Sequence, residues 1–265
     1  MSGENRDGQL CDWGEHSSSL WVVIPTYNEA ENISVVIGEI LTILPEANVL
    51  VVDDASADGT TEIVSHLGDL DARIHILYRS SKLGYASAVS EGFAATAIGG
   101  SQVIVQMDAD MSHDPAVIPQ MLNTLKRADV VIGSRYVPGG GTRNWSIVRQ
   151  VISRCANYTT RFLLGVSTRD CTSGFRCWRS ETWERAGLEA LRMEGYGFLA
   201  LGTLLVERAR LRIVEVPIIF SERRFGRSKF SRKVILEAAG AVLRLFLSRC
   251  GFVGLSCSVI GPRKG

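Results

Sequence analysis

Short apolar runs alternate with helical patterns along the first half of the chain, and this alternation restricts the fold more than any other feature. Five runs are typical of buried strands, since none shows clear two-residue alternation, and they cover residues 20–24, 49–52, 74–77, 103–107 and 129–133. Strands that alternate with helices form parallel sheets covered on both faces. We therefore predict an α/β fold with a doubly wound, mostly parallel sheet.

The helical patterns carry recognisable start signals. Apolar residues recur at i, i+3, i+4, i+7, i+8 and i+11 from Ile33, and we expect Asn28 to cap this helix. Further helices are expected to about residue 67 and over about 84–98. Between the fourth and fifth strands, Asp114 and Pro115 suit an N-cap and a first helical position.

Composition sets broad limits on the class of protein. With 265 residues the chain can form one large domain with a small appendage, and a net charge of +1 gives no general attraction to nucleic acid. Six cysteines without C-x-x-C spacing indicate reduced thiols in a cytosolic protein. Residues 1–19 are polar, so we interpret them as a disordered leader.

Acidic residues follow two of the predicted strands. Asp53 and Asp54 end the second strand, and Asp108 and Asp110 end the fourth. These ends meet at one edge of a parallel sheet, where open α/β folds bind ligands. Two carboxylates at i and i+2 repel each other unless a cation offsets them, and a divalent metal that bridges to substrate phosphates would do so. The alternative is an Asp-rich turn that only caps the next helix.

Two common nucleotide-binding patterns are missing from the sequence. No G-x-G-x-x-G follows the first strand, and no G-x-x-x-x-G-K-[ST] occurs. A dinucleotide oxidoreductase and a P-loop NTPase are therefore poor fits. What fits is a site that holds ribose hydroxyls with carboxylates and a diphosphate with a metal.

Several segments together resemble a known family. Residues 25–29 (PTYNE), 51–60 (VVDDASADGT) and 108–110 (DAD) resemble family 2 glycosyltransferases of the GT-A fold. Within that family, the dolichol-phosphate (polyprenol-phosphate) mannose synthases are similar in an ordered set of segments: 108–115, 133–136, 144–154, 173–176 and 215–229. The similarity is collinear over about residues 20–248. It implies a Rossmann-like nucleotide-binding half within a GT-A domain over residues 20–230.

The resemblance implies contacts for each part of the donor. Those to guanine and ribose would come from Pro25, Tyr27, Glu29, Val52 and Asp54. Asp108 and Ala109 would contact the sugar nucleotide, whereas Asp110 and Ser112 would hold Mg²⁺ or Mn²⁺.

The resemblance also implies anion contacts. These fall on Arg135, Arg223 and Lys229, and Arg149 is assigned to the acceptor phosphate. Asp110, Arg135 and Arg149 are thus the expected catalytic residues. Asp170 and Arg176 either serve the site or form a structural pair beside it.

The implied reaction transfers mannose from GDP-mannose to a polyprenyl phosphate with inversion. Such a lipid acceptor implies peripheral association with the cytoplasmic face of a membrane, directly or through an anchoring partner protein. The chain is basic from Arg208 onward, which suits phosphate-rich or anionic surfaces. No apolar stretch reaches the ~20 residues of a spanning helix.

The C-terminal part, residues 231–265, is expected to be an amphipathic helix and tail. Polar residues recur every three or four positions over 231–248 and leave a broad apolar face. This helix either packs against the core or lies in a membrane interface.

Two departures from the family pattern keep other functions open. Leu199 and Leu201 stand where relatives usually carry Gln and Glu. Transfer of another sugar, such as glucose from UDP-glucose, is one alternative. The other is a non-catalytic subunit that binds a nucleotide sugar.

Overall fold

The computed structural model describes residues 19–191 and 196–222. The strands of these residues are β1 Leu20–Thr26, β2 Asn48–Asp53, β3 Ile74–Tyr78, β4 Val103–Gln106, β5 Val130–Ser134, β6 Gly141–Arg143, β7 Arg176–Arg179, β8 Ile213–Pro217 and β9 Ile219–Ser221. The α-helices are α1 Ile33–Ile43, α2 Thr60–Leu70, α3 Tyr85–Ile98, α4 Ile118–Leu125, α5 Ile147–Leu164, α6 Ser180–Arg185 and α7 Tyr196–Arg208. Each predicted strand of the first half is present, with ends shifted by at most two residues.

The main sheet has seven strands in the order β3-β2-β1-β4-β7-β5-β8. All neighbours are parallel except β7, which runs antiparallel to both β4 and β5. The first four strands follow the order typical of nucleotide-binding α/β folds. A short parallel pair, β6 with β9, forms a second sheet. The predicted α/β fold with a mostly parallel sheet is confirmed.

Alternate side chains of β1 belong to two different cores, which demonstrates that both faces are covered. Trp21 and Val23 pack in a cluster with Phe93 of α3, whereas Val22 packs in a cluster with Ile37 of α1. Successive side chains of a strand point to opposite faces. The sheet is therefore doubly wound, and the loops that follow β1, β2 and β4 meet at its carboxyl-terminal edge.

The loop after β1 differs from the sequence prediction. Asn28 does not cap α1, which begins at Ile33 with Asn32 at the N-cap position and no side-chain cap. Asn28 instead has a φ of 55° and accepts a hydrogen bond from the Ala57 amide at 3.0 Å. An amide side chain tolerates this left-handed conformation, and here it ties the β1 loop to the β2 loop. The prediction that Asn28 is an N-cap was wrong.

The predicted helix start at Asp114 is confirmed. Its side chain accepts a hydrogen bond from the Ala116 amide at 2.9 Å, and Pro115 opens a short 3₁₀ turn that leads into α4. The expected leader and the expected C-terminal amphipathic helix lie outside the described residues. Among the helices that the structure describes, none is both long enough and apolar enough to cross a membrane.

Candidate active site

The carboxyl ends of β1, β2 and β4 bring the predicted acidic residues to one edge of the sheet. Strand β1 lies between β2 and β4, so its PTYNE loop lies between the two acidic pairs. Asp53 is the last residue of β2 and Asp54 follows it, whereas Asp108 and Asp110 follow β4. The edge therefore carries the grouping that the sequence predicts.

Asp54 is held by a partner that sequence reasoning missed. The guanidinium of Arg79 lies 2.6 Å from the Asp54 carboxylate, and both side chains are buried. The amides of Leu83 and Gly84 also donate to this carboxylate, at 2.8 and 2.9 Å. Asp54 thus fixes the loop between β3 and α3, and its contact with ribose stays a prediction.

The carboxylate of Asp53 is also fully engaged in hydrogen bonds within the protein. Its carboxylate accepts hydrogen bonds from the hydroxyls of Thr26, Ser56 and Thr61 at 3.1, 2.6 and 3.0 Å. The Ser56 amide adds a fourth at 2.9 Å. This buried carboxylate joins β1, β2 and α2, so its role is structural.

The remaining predicted guanosine contacts surround these loops. Pro25 and Tyr27 are half-buried, and Lys82 places its ammonium 3.5 Å from the centre of the Tyr27 ring. Glu29 is buried and accepts from the Asn32 side chain at 2.9 Å. Val52 is 0% exposed, so in this structure it offers no surface to a ligand. Their roles in donor binding stay predictions.

Asp110 and Ser112 form a tight local unit after β4. The Ser112 hydroxyl donates to Asp110 Oδ1 at 2.5 Å, and the Ser112 amide donates to the same atom at 3.1 Å. Both residues are buried. Ser112 therefore fixes the orientation of the Asp110 carboxylate, whereas its own coordination of a metal stays a prediction.

Asp108 is the more open carboxylate of this pair, with 34% of its side chain exposed. The hydroxyl of Tyr85 approaches it from α3. Burial raises the pKa of Tyr85 well above 10.0, and the charge of Asp108, which accepts a hydrogen bond from this hydroxyl, raises that pKa further. Tyr85 is therefore a neutral donor toward Asp108.

A chain of buried polar groups supports Tyr85 from behind. Gln106 donates to the Tyr85 hydroxyl at 2.9 Å and accepts from the Trp178 indole at 3.3 Å. A Cβ atom at Gly174 would lie 2.7 Å from the Tyr85 hydroxyl and 3.5 Å from Asp108 Oδ1. A glycine is needed there, because any side chain would push Tyr85 away from Asp108.

His113 braces the same loop from its other side. Its Nδ1 accepts from the Asp108 amide at 3.1 Å, and its ring stacks on Phe175 and contacts the edge of Phe220. Burial lowers the pKa of His113 below its ordinary 6.5, although the charges of Asp108 and Asp110 oppose that shift. A neutral, packed imidazole thus fixes the backbone between the two carboxylates.

The side chains at this edge provide only some of the ligands that a hard divalent cation needs. Within residues 19–191 and 196–222 there is no group of three or more His, Cys, Asp or Glu side chains that could hold a metal. Mg²⁺ is commonly bound by one or two carboxylates together with substrate phosphates. Asp108 and Asp110 fit that arrangement, in which the diphosphate of a donor completes the coordination.

Arg135 follows β5 and is locked by Asp170. Its Nε and Nη2 donate to the two Asp170 oxygens at 2.7 Å each, and its amide donates to Asp170 at 3.0 Å. Burial would raise the pKa of Asp170, but the guanidinium of Arg135 lowers it below the ordinary 3.8. This buried ion pair holds the predicted anion contact at the end of β5 in a fixed orientation.

The suggested pairing of Asp170 with Arg176 is wrong. Arg176 donates to the carbonyls of Ser173 and Leu199 at 2.8 and 3.0 Å. It also donates to the Cys171 carbonyl at 3.0 Å. Burial among these neutral partners lowers the pKa of Arg176 to about 10. Arg176 therefore ties the start of β7 to α7 while Asp170 serves Arg135.

Arg149 lies in the first turn of α5, near the end of β9. It forms an ion pair with Glu222 at 3.0 Å, and its guanidinium lies 4.0 Å from the centre of the Trp145 ring. Trp145 in turn contacts the edge of Phe220, whose ring lies 5.5 Å from the Arg135 guanidinium. Arg149 and Arg135 thus border one aromatic cluster. Arg223 and Lys229 lie outside the described residues.

Three residues that organise the site had no assigned role in the sequence prediction: Arg79, Tyr85 and His113. The single glutamine within the apolar run of β4 was a usable signal, because a buried amide requires partners. No comparable signal marks Arg79, which lies 25 residues from the carboxylate that it pairs with.

Comparison with known proteins identifies the chain's relatives. Residues 21–185 match the family described as Glycosyl transferase family 2. The chain is 42% identical to an Undecaprenyl-phosphate mannosyltransferase of Micrococcus luteus, over 84% of this chain and 91% of that protein. It is 43% identical to a Polyprenol monophosphomannose synthase of Mycolicibacterium smegmatis, over 82% of this chain and 83% of that protein.

Solved structures share the fold at lower sequence identity. Glucosyl-3-phosphoglycerate synthase from Mycobacterium tuberculosis, in complex with Mn²⁺, UDP and glucosyl-3-phosphoglycerate, matches at 21% identity and a TM-score of 0.63, over 90% of this chain and 82% of that one. The mannosyltransferase PcManGT from Pyrobaculum calidifontis, in complex with GDP-Man and Mn²⁺, matches at 14% identity and a TM-score of 0.52, over 91% and 77%. The sheet with its acidic edge is thus the GT-A fold, and the chain belongs to the family 2 glycosyltransferases.

Proposed function

We propose that this enzyme transfers mannose from GDP-mannose to a polyprenyl phosphate with inversion, giving a polyprenyl β-mannosyl phosphate and GDP. The observation that carries the proposal is the 42% identity to an Undecaprenyl-phosphate mannosyltransferase over 91% of that protein's length. The family match, over residues 21–185, includes the sheet edge at which Asp108, Asp110 and Arg135 lie.

GDP-mannose is proposed as the donor. A mannosyltransferase of the same fold is known in complex with GDP-Man and Mn²⁺, which supports a guanine nucleotide and a divalent cation. The guanosine would lie against the β1 loop near Tyr27, next to the loop that Asp54 and Arg79 fix. The diphosphate would then extend toward Asp108 and Asp110 across the end of β1.

Asp110 and Asp108 would hold Mg²⁺ or Mn²⁺ together with the donor diphosphate, and Ser112 would orient Asp110 or complete the coordination. Stabilisation of negative charge on the departing diphosphate is the chemistry that such an ion supplies when bound. Tyr85 and His113 would keep the Asp108 carboxylate and its backbone in one position. Arg223 and Lys229 are proposed as further contacts to the diphosphate.

The acceptor needs little activation. A phosphate monoester has a second pKa of about 6, so near neutrality it is already a dianionic nucleophile. A general base is therefore not required, in contrast to transfer onto a sugar hydroxyl. One acceptor oxygen would form a bond to the anomeric carbon as the bond from that carbon to the diphosphate breaks. Arg149 and Arg135 would align the acceptor phosphate, which is catalysis by positioning.

The lipid acceptor leads us to propose peripheral association with the cytoplasmic face of a membrane, directly or through an anchoring protein. The C-terminal amphipathic segment, residues 231–265, is one proposed element of that association.

The test is transfer by the purified protein. We expect a lipid-linked mannose product from GDP-mannose, polyprenyl phosphate and Mg²⁺ or Mn²⁺, with a β linkage by NMR, and loss of turnover with chelator. Product from UDP-glucose alone would assign a different sugar. Tight nucleotide binding without turnover with either donor would identify a non-catalytic subunit. Asp114→Asn is a suitable control variant, since Asp114 lies in the same loop but is exposed.

A further inference from the structure

The segment that joins α5 to β7 is held by side chains rather than by regular backbone pairing. Residues 166–170 belong to no helix or strand, and the four successive amides from Ser167 to Asp170 all donate to two glutamates. Backbone donors inside a protein need partners, and a carboxylate forms stronger hydrogen bonds with them than a neutral acceptor does. The conformation of this segment therefore depends on Glu207 and Glu215.

Glu207 holds the first half of the segment from α7. Its carboxylate accepts from the Ser167 and Thr168 amides at 2.9 and 3.0 Å. The hydroxyls of the same two residues add hydrogen bonds at 2.9 and 2.8 Å. These contacts end two residues before Asp170, so Glu207 anchors the segment without holding Asp170 itself.

Glu215 holds the second half of the segment from β8. Its two carboxylate oxygens accept from the Arg169 and Asp170 amides, each at 2.8 Å. Strand β8 lies at the edge of the main sheet next to β5, on which Ile132 is the register partner of Glu215. Arg135 follows the end of β5. Glu215 and Arg135 therefore start from neighbouring strands.

Asp170 connects these two residues. Its amide donates to Glu215, whereas its carboxylate accepts two hydrogen bonds from the Arg135 guanidinium at 2.7 Å each. The Asp170 side chain is 0% exposed. A buried carboxylate orients a guanidinium only as well as its own backbone is placed, and Glu215 supplies that placement at the amide of the same residue.

Helix α5 closes the other side of the segment through its carbonyls. Asn157 donates to the Arg169 carbonyl, and Arg161 donates to the Ser167 carbonyl at 3.0 Å. These contacts fix the segment against the domain and leave the Asp170 amide to Glu215.

We propose that Glu215 is a positioning residue for the reaction: through the amide of Asp170, it sets the orientation in which the Arg135 guanidinium meets the acceptor phosphate. The proposal rests on the proposed function, in which Arg135 aligns that phosphate. Glu215 needs no contact with either substrate for this role.

Steady-state kinetics with each substrate varied in turn tests the role. Glu215→Gln keeps the shape of the side chain but turns one acceptor oxygen into an amino group that faces a backbone amide. We expect KM for the polyprenyl phosphate to rise about tenfold, and KM for GDP-mannose to change less than about twofold. A residue that only stabilised the fold would lower the amount of active protein and leave both KM values as they are.

Glu207→Gln is the matched control, because it removes the same kind of contact from the same segment without touching Asp170. It should lower the melting temperature at least as much as Glu215→Gln does, and it should keep KM for the acceptor within about twofold of the unaltered value. Glu215→Asp retains the charge with a carboxylate that is one methylene short. It should therefore also raise KM for the acceptor, and it takes the place of Glu215→Gln if that variant does not fold.

Three results would overturn the proposal. The first is an unchanged KM for the acceptor in folded Glu215→Gln. The second is a normal KM in Glu215→Asp beside a raised one in Glu215→Gln, which would assign the effect to charge rather than to position. The third is an equal rise in Glu207→Gln, which would mean that any loosening of the segment has this effect.

A measurement without substrates separates this proposal from the proposed function. In NMR of the full chain, the Nε proton of Arg135 should exchange with water at least about tenfold faster in Glu215→Gln than in the unaltered protein, and Glu207→Gln should leave this rate unchanged. Unchanged exchange in Glu215→Gln would overturn the positioning role. Absence of transfer from either donor by the unaltered protein would refute the proposed function, whereas faster exchange in the variant would still support the control of Arg135 by Glu215.

Discussion

The two acidic pairs at the sheet edge occupy equivalent positions and have different surroundings. Asp53 and Asp54, after β2, are buried and accept hydrogen bonds from residues far along the chain, including Arg79. After β4, Asp110 is held by Ser112 of its own loop, whereas Asp108 accepts from Tyr85 of α3 and is a third exposed. A strand-end position therefore brings a carboxylate to the site but does not decide its use. The partners decide whether it supports loops or faces a ligand.

The largest expected effect comes from neutralising the β4 pair. Asp110→Asn should lower kcat by about two to three orders of magnitude, because under the proposed function it removes a carboxylate that would hold the metal ion at the donor diphosphate. The melting temperature should change little, since Ser112 can donate to the amide oxygen as well. Steady-state kinetics and thermal unfolding together measure this. Asp114→Asn, in the same loop, should keep turnover within about threefold. Full metal-dependent turnover by Asp110→Asn would show that the β4 pair is not needed for catalysis.

For the β2 pair, removal of the cationic partner Arg79 should lower the stability of the fold rather than the turnover. Arg79→Met leaves Asp54 buried without its cation, which we expect to lower the free energy of unfolding by about 3 kcal/mol or more. Arg73→Met is the matched control, because Arg73 pairs with Asp71 at the surface with 36% and 29% exposed side chains. A surface pair contributes about 1 kcal/mol or less. Urea unfolding of both variants gives the two values, and equal losses would contradict the distinction that we draw.

A smaller effect on stability and activity is expected from Tyr85, which lies on α3 and donates a hydrogen bond to Asp108. Tyr85→Phe removes the hydrogen bond to Asp108 and leaves the Gln106 amide without that partner, at a cost of about 1–3 kcal/mol in stability. Because Asp108 is then less well positioned, kcat should fall about tenfold and more metal should be needed for half-maximal rate. Tyr78→Phe, at an exposed tyrosine, serves as the control. A loss of stability with unchanged metal dependence would make Tyr85 a purely structural residue.

The smallest effect is the acid dependence of a third carboxylate, Asp170. Its pKa lies below 3.8 in the folded protein, because the attraction of Arg135 outweighs burial. Above pH 3.8 the pair stabilises the folded state in full. As the pH falls through the folded pKa, this stabilisation is lost, since the unfolded chain binds the proton first. Carboxyl NMR titration of Asp170 should give a midpoint below 3.8, and a midpoint above it would contradict the pairing.

Local patterns in the sequence predict five of the seven strands of the main sheet, and they miss strand β7 for a physical reason. Strands β1, β2, β4 and β5 consist mainly of apolar residues, because both of their faces are buried. Strand β7 reads Arg-Cys-Trp-Arg, and two arginines do not suggest a central strand. Arg176 is tolerated there because its guanidinium donates to the carbonyls of Cys171 and Ser173 and to that of Leu199, which lies 23 residues away. Partners so far apart in sequence leave no local pattern.

In the candidate site, too, residues that are close in sequence could be predicted as a group, whereas pairs that are far apart in sequence could not. The carboxylates of Asp108 and Asp110 are adjacent in sequence, so their grouping could be predicted together with the strand that carries them. The Arg135–Asp170 pair spans 35 residues, and only the fold brings its members together. The Asp170–Arg176 pairing was wrong because Asp170 pairs with Arg135 and Arg176 donates to backbone carbonyls.

Strand β7 sets the width of the catalytic edge. It separates β4 from β5, so the strand that ends at the Asp108 loop lies two strand spacings, about 9.5 Å, from the strand that ends before Arg135. That interval depends on backbone hydrogen bonding rather than on loop sequence. Loops around the edge can therefore differ in sequence while the sheet keeps the distance between the β4 and β5 strand ends constant.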